Sequence, residues 1–85
     1  MNQSAVRAFP ITPDDGGANG FPSGVTYAQR LWIGGAGNIK ITTPYGDTVT
    51  YTNVPAGTYL YVEAVKVFAT NTTATNIVGE YIRAQ

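Results

Sequence analysis

The chain is a small domain of balanced charge. Its 85 residues include five Lys or Arg, five Asp or Glu, and neither His nor Cys. The lack of Cys excludes disulfides, and the lack of both residue types leaves almost no ligand set for zinc or a transition metal. The balanced charge argues against nucleic acid, whose binding domains show a basic excess. A core this small buries only about 60–65% of the unfolded surface, so we expect self-association or docking on a larger object.

No segment carries a membrane or export signal. The longest apolar runs are far shorter than the ~18–20 residues of a membrane span. The N-terminus, MNQSAVR, lacks the apolar core of a secretory signal. We therefore expect synthesis in the cytosol and no membrane partner.

Residues 1–28 predict an extended N-terminal arm. The segment contains Pro10, Pro13 and Pro22 and the glycine-rich run DDGGANG at 14–20. Proline lacks a ladder donor and glycine loses the most entropy when fixed, so we expect turns and no sheet strand here. The isolated apolar residues of the arm are expected to anchor it on its own domain, on a neighbouring subunit or on the larger object to which the chain docks. The predicted contact residues are Phe9, Ile11 and Phe21.

Residues 29–85 predict an antiparallel β domain. Thr, Val, Tyr and Ile dominate, and these residues suit a pleated, half-buried surface. Short period-2 runs alternate with Gly, Pro and Asn turns, which predicts a small all-β sandwich or barrel. The five predicted strands are 29–33, 38–43, 48–52, 58–69 and 76–83, of which the second and third form a hairpin around the turn PYGD.

The fourth predicted strand changes phase near its middle. The alternation that begins at Leu60 places Ala64 on one face, whereas Val65 and Val67 fall on the other. Because side chains alternate strictly along a strand, this pattern has three explanations. The strand contains a β-bulge, is buried on both faces, or crosses between two sheets.

The residues give little support to an enzyme. There is no His for acid–base or triad chemistry, and Ser4 and Ser23 both lie in the predicted arm. Glu63 and Glu80 fall on predicted strands, where charged side chains on a solvated face are the commoner arrangement. The 14–20 run lacks the spacing of a calcium loop. We expect no catalytic residues, no metal and no cofactor.

Four aromatic residues are candidates for surface contacts. Exposed rings stack on sugars, so these side chains could form a carbohydrate platform. The alternative places the Trp in the core and the Tyr residues at sheet edges and subunit contacts, where rings with a polar tip are favoured. The four candidates are Trp32, Tyr45, Tyr59 and Tyr61.

Four segments, in order and at similar spacing, resemble one known family. They are RLWIGGAGNI at 30–39, GDTVTY at 46–51, VPAGT at 54–58 and ATNTTATNIV at 69–78. Across about residues 28–82 the chain resembles the head spike base proteins, small virion proteins of tailed phages and gene transfer agents. The arm is similar only loosely, through the segment ITPDD at 11–15.

The resemblance implies a non-enzymatic, β-rich structural protein on the capsid surface, made in the host bacterial cytoplasm. It would act as a head spike base or as a decoration (cement) protein that binds the major capsid protein. Further implied partners are copies of itself, as a trimer or pentamer, and a spike fibre. The turns at 34–37 and 54–57 would determine the fold. The alternative function is a carbohydrate-binding adhesion module, and in either case we expect the β domain to fold without residues 1–27.

Overall fold

Two antiparallel sheets pack together in the computed structural model, which describes residues 4–82. The first sheet has the strand order β1-β7-β2-β5 and the second has the order β4-β3-β6. The predicted antiparallel sandwich is confirmed, and so is the hairpin, whose strands pair from Gly37↔Val54 to Thr42↔Thr48. The strands are β1 (Ala5–Pro10), β2 (Arg30–Gly35), β3 (Gly37–Thr42), β4 (Thr48–Val54), β5 (Thr58–Leu60), β6 (Lys66–Val67) and β7 (Thr75–Ile82).

The core lies between the two sheets and follows from the alternation of side chains. Leu31 and Ile33 of β2 are fully buried, and Ile39 and Ile41 of β3 face them from the other sheet. The residues between them point to the outer faces, as the period of two requires. Burying each such side chain stabilises the fold by about 1.5–3 kcal/mol.

The N-terminal segment contains a strand, so the prediction that residues 1–28 lie outside the sheets is wrong. β1 pairs antiparallel with β7, and Phe9 lies opposite Gly79. A Cβ atom on Gly79 would lie 2.6 Å from Phe9 Cε2, so the absence of a side chain there lets the ring lie on β7. Pro10 is tolerated because it ends an edge strand. Phe9 and Ile11 are buried in the same core as residues of the β domain.

The side chain of Asn19 holds the chain between β1 and β2 against β6. Its Nδ2 donates hydrogen bonds of 2.7 Å to the carbonyl oxygens of Thr12 and Val67. The Val67 amide donates to Asn19 Oδ1 at 3.2 Å. Asn19 is 1% exposed. Its side-chain amide bonds to β6, a strand of two residues, in the way that the backbone of a neighbouring strand would.

A carboxylate fixes the glycine-rich turn of the same segment. Asp15 accepts hydrogen bonds from the Ala69 and Thr70 amides and from Thr70 Oγ1, at 2.9, 2.9 and 2.6 Å. The hydrogen bond from the Thr70 side chain is the main cause that lowers the pKa of Asp15. This turn is therefore attached to the loop before β7.

The chain between β5 and β7 crosses from one sheet to the other, which is the third of the predicted explanations for its phase change. β5 pairs with β2 in the first sheet, and β6 pairs with β3 in the second. Between β5 and β6 the backbone forms hydrogen bonds with both sheets. Ala64 exchanges two with Ala28, just before β2, and the Val65 amide donates to the carbonyl oxygen of Thr42, at the end of β3. A single strand over 58–69 is therefore wrong. The last predicted strand is confirmed as β7, and its predicted final residue, Arg83, lies outside the described residues.

The glycines of the turn at 34–37 lie where the chain approaches β7 too closely for a side chain. Added Cβ atoms on Gly34, Gly35 and Gly37 would lie 2.8, 1.9 and 2.5 Å from atoms of the segment 74–76. Gly57 has a positive φ of 73°, which glycine adopts without strain, and its amide donates to the Ile33 carbonyl. The first turn therefore allows close packing of the end of β2 on the start of β7, and the second fixes the start of β5 beside β2.

Replacing Asn19 should destabilise the fold strongly. Asn19→Ala leaves the buried Val67 amide without its acceptor and removes one donor each from the Thr12 and Val67 carbonyl oxygens, of which the Val67 oxygen keeps the Asp14 amide. We therefore expect a loss of about 1–3 kcal/mol in the free energy of unfolding. Urea unfolding followed by Trp32 fluorescence measures it. Ser23→Ala, in an exposed turn, should change the value by less than about 0.5 kcal/mol. Equal stability of the two variants would contradict the role given to Asn19.

The structure reverses the expectation that the β domain folds without its N-terminal segment. Phe9→Ala should cost about 3–5 kcal/mol, because it opens a cavity over Gly79. Removal of residues 1–27 should abolish cooperative unfolding, since β7 loses a pairing strand and the core loses two members. Circular dichroism during denaturant titration distinguishes the outcomes. A truncated chain that unfolds as cooperatively as the full chain would show that β1 is dispensable.

Candidate interaction surface

Three aromatic side chains form a continuous row on the outer face of the first sheet. Trp32 of β2 lies opposite Tyr59 of β5, and their ring centroids are 5.0 Å apart at 65°. Tyr61 follows β5, with its centroid 5.8 Å from that of Tyr59 and the rings tilted by 31°. We call these three residues the aromatic strip. The strand register places them together, because β2 and β5 are neighbours in the sheet.

An ion pair holds the central ring of the aromatic strip in place. Arg30 and Glu80 lie opposite each other on β2 and β7, and Arg30 Nε lies 2.6 Å from Glu80 Oε1. The Tyr59 hydroxyl donates to Glu80 Oε2 at 3.1 Å, and the Arg30 guanidinium lies 4.6 Å from the Tyr59 ring centroid. Each charged side chain is only 13% exposed. Glu80 is therefore a paired group within the surface rather than the solvated charge that the sequence suggested.

This arrangement shifts the protonation equilibria of its members. The hydrogen bond to Glu80 raises the pKa of Arg30, so the guanidinium stays charged. Burial, and then the hydrogen bond to Glu80, raises the pKa of Tyr59 above 10.0. The phenol is therefore a fixed donor in the neutral range. Its ring orientation is set before any partner arrives.

A shallow cleft of about 440 Å³ adjoins the strip at the tip of the β3–β4 hairpin. Tyr45 is 99% exposed on one side and Tyr61 is 77% exposed on the other. Two carboxylates and no basic side chain line the cleft. We call it the tyrosine cleft; its lining residues are Thr43, Pro44, Tyr45, Asp47, Tyr61, Val62 and Glu63.

The structure places the predicted contact residues in two different environments. Trp32, Tyr59 and Tyr61 share the strip, and Tyr45 joins Tyr61 across the cleft. The three predicted arm anchors lie instead within their own chain. Phe9 and Ile11 belong to the core, and the Phe21 ring meets the Phe9 ring edge-on at 5.5 Å.

The outer face of the second sheet carries a cationic group that the sequence analysis missed. Lys40 and Lys66 both lie over the ring of Phe68, at 4.7 and 4.3 Å from its centroid. Lys40 stands on β3 and Lys66 on β6, neighbouring strands whose pairing brings the two ammonium groups together. The two lysines can be recognised as neighbours only from the pairing register of β3 and β6.

The described residues provide neither a cluster of metal ligands nor a helix that could span a membrane. Within residues 4–82, no three Asp or Glu side chains lie close enough together to hold a metal ion. That same part of the chain has no helix long and apolar enough to cross a membrane. The expectation of no metal and no cofactor stays a prediction.

Stability should fall as the pH rises past the ordinary tyrosine value of 10.0. The pKa of Tyr59, and that of Tyr27 through burial, is raised in the folded chain, so above pH 10 the folded state binds more protons than the unfolded state. The stabilisation that comes from the raised pKa values is fully present below pH 10 and is lost as the pH rises through the pKa values of the folded chain. Unfolding free energies on both sides of pH 10 test it. Tyr59→Phe should flatten the decline; an unchanged decline in Tyr59→Phe would refute the assignment.

Comparison with known proteins gives a virion context for this surface. No protein-family model and no curated protein matches the chain. One solved structure, described as the capsid of a native gene transfer agent particle computed with C5 symmetry, contains a chain that is 39% identical. The likeness covers 91% of this chain and 83% of that one, with a TM-score of 0.72. The chain therefore belongs to a family of virion structural proteins that occurs in gene transfer agent and phage-like capsids.

Proposed function

We propose that the chain is a head spike base or decoration protein that binds the capsid shell from outside and associates with copies of itself. The observation that carries this is the 39% identity to a capsid chain over nearly the whole length. The similarity includes both sheets and is not confined to one motif. The proposed role is non-enzymatic. Its proposed partners are the major capsid protein and a spike fibre.

The aromatic strip is the proposed contact with the shell. Tyr and Trp side chains supply large contact areas at low entropic cost and dominate binding hot spots. Tyr59 is already fixed by Arg30 and Glu80, so a partner need not order it. Within the aromatic strip, Tyr61 is 77% exposed and therefore has the most surface for a partner to cover.

Self-association is supported by the free edges of both sheets. β1 and β4 each end a sheet, and each carries an exposed valine, Val6 at 41% and Val49 at 42%. β4 has seven residues, TVTYTNV, with no charge and no proline. Long uncharged edges of this kind pair with other strands unless something blocks them. A trimer or a pentamer is the proposed assembly.

Binding to empty shells tests the proposal. The purified chain, mixed with capsid shells assembled without it, should sediment with them to a saturating ratio. Tyr61→Ala should weaken this binding about tenfold or more, because it removes a ring from the strip. Thr50→Ala, exposed on the other sheet, is the matched control. A wild-type chain that stays in the supernatant at all shell concentrations would refute the proposal.

A second candidate function is carbohydrate adhesion, and the contiguity of the strip is the observation that favours it. Rings from three positions adjoin, and Tyr61 offers one face to solvent. The Trp32 and Tyr59 planes are inclined by 65° and Arg30 covers Tyr59, so a flat sugar platform is limited to the Tyr61 end. Glycan-array binding that is lost in Tyr61→Ala, without any sedimentation with shells, would favour this function over the first.

A further inference from the structure

Arg7 is the one cation within residues 4–82 that has no partner among those residues. Arg30 is paired with Glu80, and both Lys40 and Lys66 lie over Phe68. Arg7 stands exposed on β1 and makes no hydrogen bond, ion pair or ring contact within residues 4–82. An exposed guanidinium on a free sheet edge is available to another molecule.

The tyrosine cleft has the chemistry that binds a guanidinium. Asp47 and Glu63 supply two carboxylates, and Glu63 makes no hydrogen bond or ion pair within the described range. Tyr45 and Tyr61 supply two exposed rings. A guanidinium stacks on aromatic faces and forms forked hydrogen bonds with carboxylates. With no basic side chain in its lining, the cleft lacks only the cation.

The strand register sets Arg7 and the cleft at the same level but on opposite edges of the first sheet. Phe9, Gly79, Leu31 and Leu60 form one row across the four strands. Arg7 pairs with Tyr81 two positions beyond this row, and the cleft residues 61–63 continue the chain beyond Leu60 towards the same end. β7 and β2 lie between β1 and β5, which separates the two features by about 14 Å at the usual strand spacing.

A second copy placed beside the first would bring them together. Directions alternate along β1-β7-β2-β5, so β1 of a second copy beside β5 continues the antiparallel pattern. When the second copy is placed sideways in this way, without a displacement along the strands, its Arg7 lies at the level of the first copy's cleft. Such a head-to-tail contact uses two different surfaces and closes into a ring when its rotation permits.

We infer that the tyrosine cleft binds Arg7 of an adjacent copy, with the guanidinium between the tyrosine rings and the carboxylates of Asp47 and Glu63. The cleft is then an intersubunit site that is complete only when a second copy supplies the cation. This inference rests on the proposed self-association and names the contact that produces it. Tyr61 belongs to both the cleft and the aromatic strip, so the inference is tested at Arg7 and Tyr45, which lie outside the strip.

Sedimentation and light scattering of matched variants test the inference. Arg7→Gln should raise the dissociation constant of the assembly about tenfold or more, and so should Tyr45→Ala. Ser23→Glu, which alters the net charge by the same amount as Arg7→Gln in an exposed turn outside both sheets, should leave it unchanged. The exchange Arg7→Glu with Glu63→Arg should restore assembly that either change alone weakens. Unchanged unfolding midpoints verify that each variant is folded.

The contrary outcomes separate the inference from the proposed function. A wild-type assembly that is unaffected by Arg7→Gln and by Tyr45→Ala would overturn the inference and leave the proposed function standing. A wild-type chain that is monomeric at every concentration would overturn both the inference and the proposed self-association. Binding of a glycan by the monomer, lost in Tyr45→Ala, would assign the cleft to carbohydrate and overturn the inference.

Discussion

The three hydrogen bonds of the Asn19 amide determine on which side this sandwich is closed. β6 is only two residues long, and on its outer edge the Asn19 side chain pairs with both backbone groups of Val67, whose carbonyl oxygen also accepts from the Asp14 amide. The same amide binds Thr12 and so returns the chain after β1 across the edge of the second sheet. Because this segment is held there, Ile11 can enter the core and β1 can lie along β7.

Closing one side gives the molecule two unlike lateral surfaces. On the side of β1, the chain from Thr12 to Asn19 covers the second sheet, and the outer edge of β1 itself is free. On the other side, β4 turns into β5 through a short loop, and their ends adjoin the tyrosine cleft. One side offers a cation on a strand edge and the other offers carboxylates and rings. A molecule with such complementary sides favours head-to-tail contact over a symmetric dimer.

The sequence predicts those parts of the structure in which neighbouring residues determine the outcome. The alternation around Ile39 and Ile41 and the turn after it identify the hairpin without any long-range information. β1 could not be recognised, because its stability comes from pairing with β7 and from the space above Gly79, about seventy positions further along the chain. Residue type alone identified the aromatic strip. The pairing of Arg30 with Glu80 and the burial of Asn19 depend on register and on crossing chains, which no local pattern records.

The proposed tendency to associate has a source in the chemistry of the surface, in addition to the small buried fraction of a short chain. The accessible surface of 4790 Å² is close to the ~4850 Å² typical of a monomer of 9.0 kDa. The fold therefore buries about 63% of the unfolded surface, within the range expected from its length. The unusual features are exposed tyrosines, the uncharged edge strand β4 and a charged fraction of 12%. Water solvates rings and unpaired strand edges less well than charged side chains, so covering them with a neighbour releases free energy that an ordinary charged surface would not.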